Sequence, residues 1–215
     1  MGWLFKFLHS SIGKKVQMAL TGLLLCGFLV THLLGNLFLY KGQDAYNHYA
    51  NALAENPLIP LAELGLVVLF VVHIVMAIWT RIENRQARPT AYVLYSSSGG
   101  RTWGSATMIF SGFLLLVFLI VHLKTFRFQA DRSDLYSMVI HAFRRPAYSL
   151  FYVIAMGALA LHLSHGFQAG FQTLGAEHPK YTPWIKRFGL AFAVVIAVGF
   201  ASMPVLLGLC AGGGH

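Results

Sequence analysis

Four histidines lie inside apolar segments of the chain, one to a segment: His32, His73, His122 and His162. A histidine in hydrocarbon is costly and normally faces the interior of a helix bundle, where it has a task. Four of them, one per helix, make two pairs, and two facing imidazoles can hold a haem iron from above and below. Metal and proton pathways tend to recruit carboxylates or cysteines beside their histidines. Here Glu63, near one end of its segment, is the only acidic residue clearly within a span. The two cysteines, Cys26 and Cys210, are too few for a zinc site or an iron–sulfur cluster. No Cys-x-x-Cys-His motif occurs, so a haem would be held without covalent attachment.

The elements that must position these side chains are membrane helices. Of the 215 residues, 57% are hydrophobic and only 11% are charged. A soluble domain carries about a quarter charged residues. Runs of roughly 20 apolar residues predict five spans, at about 16–40, 59–80, 103–126, 147–170 and 186–209. Breakers separate them: Pro57 and Pro60, Pro89 with Ser96 to Gly100, Pro146, and Pro179 with Pro183. Pro204 marks a place for a kink in the fifth span. Residues 1–15 form an amphipathic interfacial segment containing His9. The first span is too long for a signal-peptide core and carries His32, so it is retained. The expected architecture is one all-α integral domain over residues 1–215, with helices 1–4 bundled around two haems. The loops leave no room for a soluble catalytic domain.

The net charge of +9 reflects Lys and Arg flanking the spans rather than nucleic-acid binding. With the N-terminus cytoplasmic, ten basic residues lie inside: Lys6, Lys14, Lys15, Arg81, Arg85, Arg88, Arg101, Lys180, Lys186 and Arg187. Six lie outside: Lys41, Lys124, Arg127, Arg132, Arg144 and Arg145. That imbalance favours an inside N-terminus, although Arg144 and Arg145 run against the rule.

Helix direction then pairs the histidines by depth. His32 lies 17 residues beyond Lys15, which at the helical rise is roughly 25 Å from the inner surface. On the returning helix, His73 stands 8 residues before Arg81, roughly 12 Å from that surface. His122 is near the outer end of the third helix, and His162 is towards the inner end of the fourth. His32 therefore matches His122, and the inner level holds His73 with either His162 or His165. The two levels are roughly 13 Å apart, a spacing that suits electron transfer across a bilayer.

A weak internal repeat accompanies the outer pair. "FLVTHL" (Phe28 to Leu33) recurs as "FLIVHL" (Phe118 to Leu123), and Thr21-Gly22 and Ser111-Gly112 precede the two histidines by the same interval. Glycines 22, 27, 65, 112, 157 and 170 would let either a flat macrocycle or a neighbouring helix approach. His48 and His141 fall in the two outer loops, while His178 and His215 carry no signal.

The chain resembles the cytochrome b subunit of succinate dehydrogenases and fumarate reductases, in its single-polypeptide, five-helix, di-haem form. The resemblance rests on Thr21-Gly22 with "FLVTHLLGN" to Asn36, His73 in "VVHIVMAIW", and Ser111-Gly112 with "LLVFLIVHLKTF" to Phe126. It continues in "LHLSHGFQAGFQTLG" to Gly175, and "SSIGKKVQMALTG" (Ser10 to Gly22) is typical of one branch. It covers nearly the whole chain. Each motif alone is soft; their order and spacing are specific.

The resemblance implies two haem b groups. His32 and His122 would ligate a distal haem, and His73 and His162 a proximal one; the family's ligand begins the fourth motif, which selects His162 over His165. It implies a flavoprotein and an iron–sulfur subunit on the cytoplasmic face of a bacterial inner membrane, carrying the FAD and the clusters. Menaquinone or another quinone would be the membrane-side substrate, and a dimer of the whole complex is compatible. Propionates would call on Arg81, Arg101 and Trp103 inside, and on Lys124, Arg127, Arg144 and Arg145 outside. Quinone protonation would call on Glu63, Asn36, Tyr40 or His141. The spans show no carboxylate route for protons. Two other readings compete: the di-haem anchor of a different quinone-linked oxidoreductase, and a histidine-based transporter or proton conductor. The latter usually needs acids and broken helices that these spans lack.

Overall fold

The structure, a computed structural model, describes residues 2–87 and 103–210, and all its regular structure is helical. The helices are α1 (Trp3–His9), α2 (Ser11–Asn36), α3 (Gln43–Glu55), α4 (Ile59–Gln86), α5 (Trp103–His122), α6 (Leu135–Phe143), α7 (Pro146–Thr173) and α8 (Thr182–Met203). Five segments are long and apolar enough to cross a membrane: Ser11–Lys41, Ile59–Gln86, Thr107–Arg127, Pro146–Thr173 and Thr182–Gly208. They match the five expected spans, with limits that differ by up to about two turns.

Local chemistry sets the ends. Pro60, Pro146 and Pro183 sit in the first turns of α4, α7 and α8, where the missing N–H costs nothing. Gly175, with φ 86°, closes α7. Gly42, with φ 96°, separates a 3-10 turn at Leu37–Lys41 from α3. Pro204 ends the α-helical hydrogen bonding of α8, and a π turn runs from Pro204 to Cys210.

The N-terminal segment departs from one interfacial helix over residues 1–15. Ser10 is extended, donates its N–H to the Phe7 carbonyl, and caps α2 by accepting from Gly13 N–H at 3.0 Å. A side chain at Gly13 would run into the Phe7 carbonyl, so the corner needs glycine. Only Trp3–His9 is the separate amphipathic helix; residues 11–15 already belong to the first span.

α7 is the centre of the bundle. It packs against α5, α8 and α2, and α2 also packs against α4. Among the described residues, neither α2 with α5 nor α4 with α7 packs as a helix pair. Two helix pairs, α2–α4 and α5–α7, thus stand side by side, joined chiefly along α2 and α7. The connections at the end of the bundle away from the N-terminus, expected as loops, form the short helices α3 and α6. Asp134 clasps them. It caps α6 by accepting from Ser137 N–H, and accepts from Gln43 Nε2 at 2.6 Å and Asn47 Nδ2 at 2.8 Å. These donors, Ser137 foremost, hold its carboxyl down at about 2, so the clasp keeps its charge at any pH near neutral.

At the N-terminal end, Lys14 is buried and does not flank the span as a free charge. Its ammonium pairs with Glu83 on α4 and lies 4.6 Å from the Trp79 ring centroid. Removing one partner of such a pair strands a charge. Glu83→Ala is expected to destabilise the protein by about 2 kcal/mol, because Glu83 itself is partly exposed. Lys14→Met with Glu83→Leu should recover most of that loss. Thermal denaturation in detergent measures both.

Candidate functional site

The described structure brings the four intramembrane histidines together in two couples. His32 on α2 faces His122 on α5, with ring centroids 5.9 Å apart and planes at 85°. His73 on α4 faces His162 on α7, at 6.4 Å and 71°. Each couple bridges one of the two helix combinations that do not pack directly. Two metal–imidazole bonds of about 2 Å on opposite sides of one ion put ring centroids about 6 Å apart. Both couples have that spacing.

Hydrogen bonds decide which ring nitrogen is available. His73 Nδ1 lies 3.1 Å from the Met18 carbonyl and 3.4 Å from Thr21 Oγ1. A carbonyl only accepts, so Nδ1 carries the proton and Nε2 keeps its lone pair. Thr21 gives its own proton to the Gln17 carbonyl at 2.7 Å, which leaves its oxygen free to accept from the ring. The second couple repeats this. His162 Nδ1 lies 3.3 Å from Ser111 Oγ, and Ser111 donates to the Thr107 carbonyl at 3.0 Å, which leaves its oxygen free to accept from the ring. A ligating histidine typically has its other nitrogen anchored in this way.

The glycines beside those hydroxyls serve the same two rings. A Cβ on Gly22 would sit 3.0 Å from His73 Cε1, and one on Gly112 would sit 3.4 Å from His162 Cε1. Thr21-Gly22 and Ser111-Gly112 therefore seat the histidine of the following span, not the one further along their own. The repeat was legible in the sequence, but its target was not. Gly170 instead packs on Leu23, a contact between α7 and α2.

The other couple has an aromatic setting. His122 Nδ1 lies 2.9 Å from the hydroxyl of Tyr152, a buried residue that sequence reasoning passed over, and the Tyr148 and Tyr152 hydroxyls are 3.2 Å apart. Phe118 and Phe126 flank the His122 ring at 5.6 and 5.4 Å. His32 stacks on Phe28 at 5.1 Å and meets Phe200 at 5.6 Å. A π turn, Leu123–Arg127, begins just after His122 and brings Phe126 back onto its ring.

Several candidates are engaged elsewhere. Glu63 and Arg127, expected as a proton donor and a propionate contact, form a bidentate ion pair at 2.9 and 2.8 Å that ties α4 to the end of the third span. Tyr40 bonds Ser202 at 2.7 Å, and Asn36 donates to the His32 carbonyl at 2.8 Å. His141 and Arg144, with Tyr136, Ser137 and Ile140, line an open recess of about 360 Å³ beside α6. Arg81, Lys124 and Arg145 are exposed. Arg88, Arg101, His215 and the side chains of Trp103 and Cys210 lie outside the described residues. Cys26 is buried as a free thiol, and His9 bonds back to the Phe5 carbonyl. His48 is exposed on α3.

Among the described residues no three of His, Cys, Asp and Glu converge on one point. Each level thus offers two nitrogens. No protein-family model matches the chain, and comparison with curated proteins and with solved structures finds no similar one.

Proposed function

We propose that the chain is a di-haem cytochrome b, the membrane anchor of a succinate:quinone oxidoreductase. The observation that carries this reading is the pair of histidine couples at two levels, with spacing for one ion each. His73 and His162 carry the proton on Nδ1, leaving Nε2 to ligate, and His122 Nδ1 meets the Tyr152 hydroxyl. Two protein nitrogens leave the other coordination positions of an iron to a group that is not protein, and a tetrapyrrole supplies four of them in one plane. Gly22 and Gly112 make room for the ligand rings, and Thr21 and Ser111 fix their tautomer. Haem b so held supplies one-electron chemistry.

The rest of the assignment rests on the sequence resemblance and the charge pattern. His73 and His162 hold the proximal group on the cytoplasmic side, near the end that carries the N-terminus. His32 and His122 hold the distal group on the other side. A flavoprotein and an iron–sulfur subunit dock at the cytoplasmic face, and a quinone exchanges electrons at the distal level. His141 and Arg144 line the recess beside α6 and would meet a quinone head or a propionate there. Glu63, committed to Arg127, holds the far ends of two helices together.

The test is a reduced-minus-oxidised spectrum of the purified membrane protein, with haem quantified per chain. Two low-spin b haems per chain are expected; none in a folded preparation sinks the proposal. A second expected result concerns the distal level. With iron on Nε2, His122 donates from Nδ1 to Tyr152, which makes the ring a stronger electron donor and favours the ferric state. Tyr152→Phe is expected to raise the midpoint potential of one haem and leave the other unmoved, in a spectroelectrochemical titration.

A further inference from the structure

Two side-chain atoms in the described structure are shut off from solvent and have no hydrogen-bond partner: Thr80 Oγ1 on α4 and His165 Nδ1 on α7. Thr80 is unusual among its neighbours. Thr21, Thr31, Ser111, Thr125, Ser164 and Ser202 all return their hydroxyl proton to a carbonyl three or four residues earlier. That bond is available to any hydroxyl in a helix, and Thr80 does not make it. His165 differs in the same way from His73 and His162, whose Nδ1 atoms are anchored. An orphaned polar atom in a buried site calls for a partner.

Register places both on the same side of one couple. Thr80 follows His73 by seven residues, so it shares that face of α4, roughly 10 Å nearer the N-terminal end. α4 has no buried residue, so a sequestered hydroxyl on it must point to the bundle. His165 follows His162 by three residues, roughly 4.5 Å in the same direction. The two orphans come from the two helices that His73 and His162 bridge, and both can donate a proton. An acceptor would satisfy both donors at once, and in hydrocarbon an anion needs such donors most.

We propose that Thr80 and His165 would hold a propionate carboxylate of the haem that His73 and His162 would ligate. This rests on the di-haem reading. It gives a membrane-buried carboxylate two donors from opposite helices, and it assigns the inner propionate contact to residues other than Arg81, which is exposed.

The experiment uses the full chain in its membrane complex, with Thr80→Val and His165→Phe compared with Thr80→Ser and His165→Gln, which keep a donor. Resonance Raman reads the propionate-bending bands, and a redox titration reads each haem. In the first two variants the component lost in His73→Ala should fall in potential, because its carboxylate charge is less compensated. Its propionate band should move and its haem should be retained about tenfold less tightly. The donor-keeping variants and the other haem should stay at wild-type values. Unmoved bands and potentials in Thr80→Val and His165→Phe, with both haems retained, overturn the assignment and leave the di-haem reading intact. A folded wild-type protein without haem overturns both.

Discussion

Replacing His73 or His162 with alanine should abolish one spectral component of the protein, and replacing His32 or His122 should abolish the other. The grouping follows from geometry: the rings stand couple by couple at 6.4 and 5.9 Å, and no third ligating group joins either couple among the described residues. In the di-haem reading, each variant removes one of the two nitrogens that would hold an iron. The effect is therefore loss of a haem rather than a shift in its potential. Low-temperature difference spectra of the four variants, with haem quantified per chain, make the check. If His32→Ala and His73→Ala removed the same component and spared the other, the couples as drawn would be wrong.

The second large effect concerns two glycines that touch no metal. In the di-haem reading, Gly22→Val and Gly112→Val should both strike the same haem, the one proposed for His73 and His162. A bare Cβ at Gly22 already stands 3.0 Å from His73 Cε1, and one at Gly112 stands 3.4 Å from His162 Cε1. Valine adds two methyls to a Cβ that already meets the imidazole. Overpacking of this kind costs about 1–3 kcal/mol, and a ligand displaced by a few tenths of an ångström loses the alignment with its partner. The expected outcome is loss or high-spin conversion of one component with the other intact, read from the absorption and electron paramagnetic resonance spectra. Loss of the component assigned to His32 and His122 instead would refute the assignment made from the packing.

These two cases show where a one-dimensional reading ends. The pairing of histidines by depth needs only helix direction and rise per residue, and both are legible because a membrane helix must satisfy its own backbone. Which neighbour a glycine touches depends on the rotation of one helix against another, and nothing in the sequence of α2 states that His73 will face it. The same holds for Glu63 and Arg127, 64 residues apart. Each carries a charge that begs a task, and only the packing shows that each is the other's partner. α3 and α6 went unseen because they lie between apolar runs and are held by the polar clasp around Asp134 rather than by a span-length hydrophobic pattern.

The amino-acid sequence by itself determined the class, the number and approximate limits of the spans, the two levels of histidines and the proline signals at helix ends. All of these follow from local composition and periodicity acting on a backbone with few choices. The tertiary structure decided the rest: the choice of His162 facing His73, the tautomers fixed by Thr21 and Ser111, the buried Lys14–Glu83 pair, and the unpaired donors of Thr80 and His165. Those depend on distances between helices, and side chains far apart along the chain meet only when packing has chosen which face of each helix turns inward.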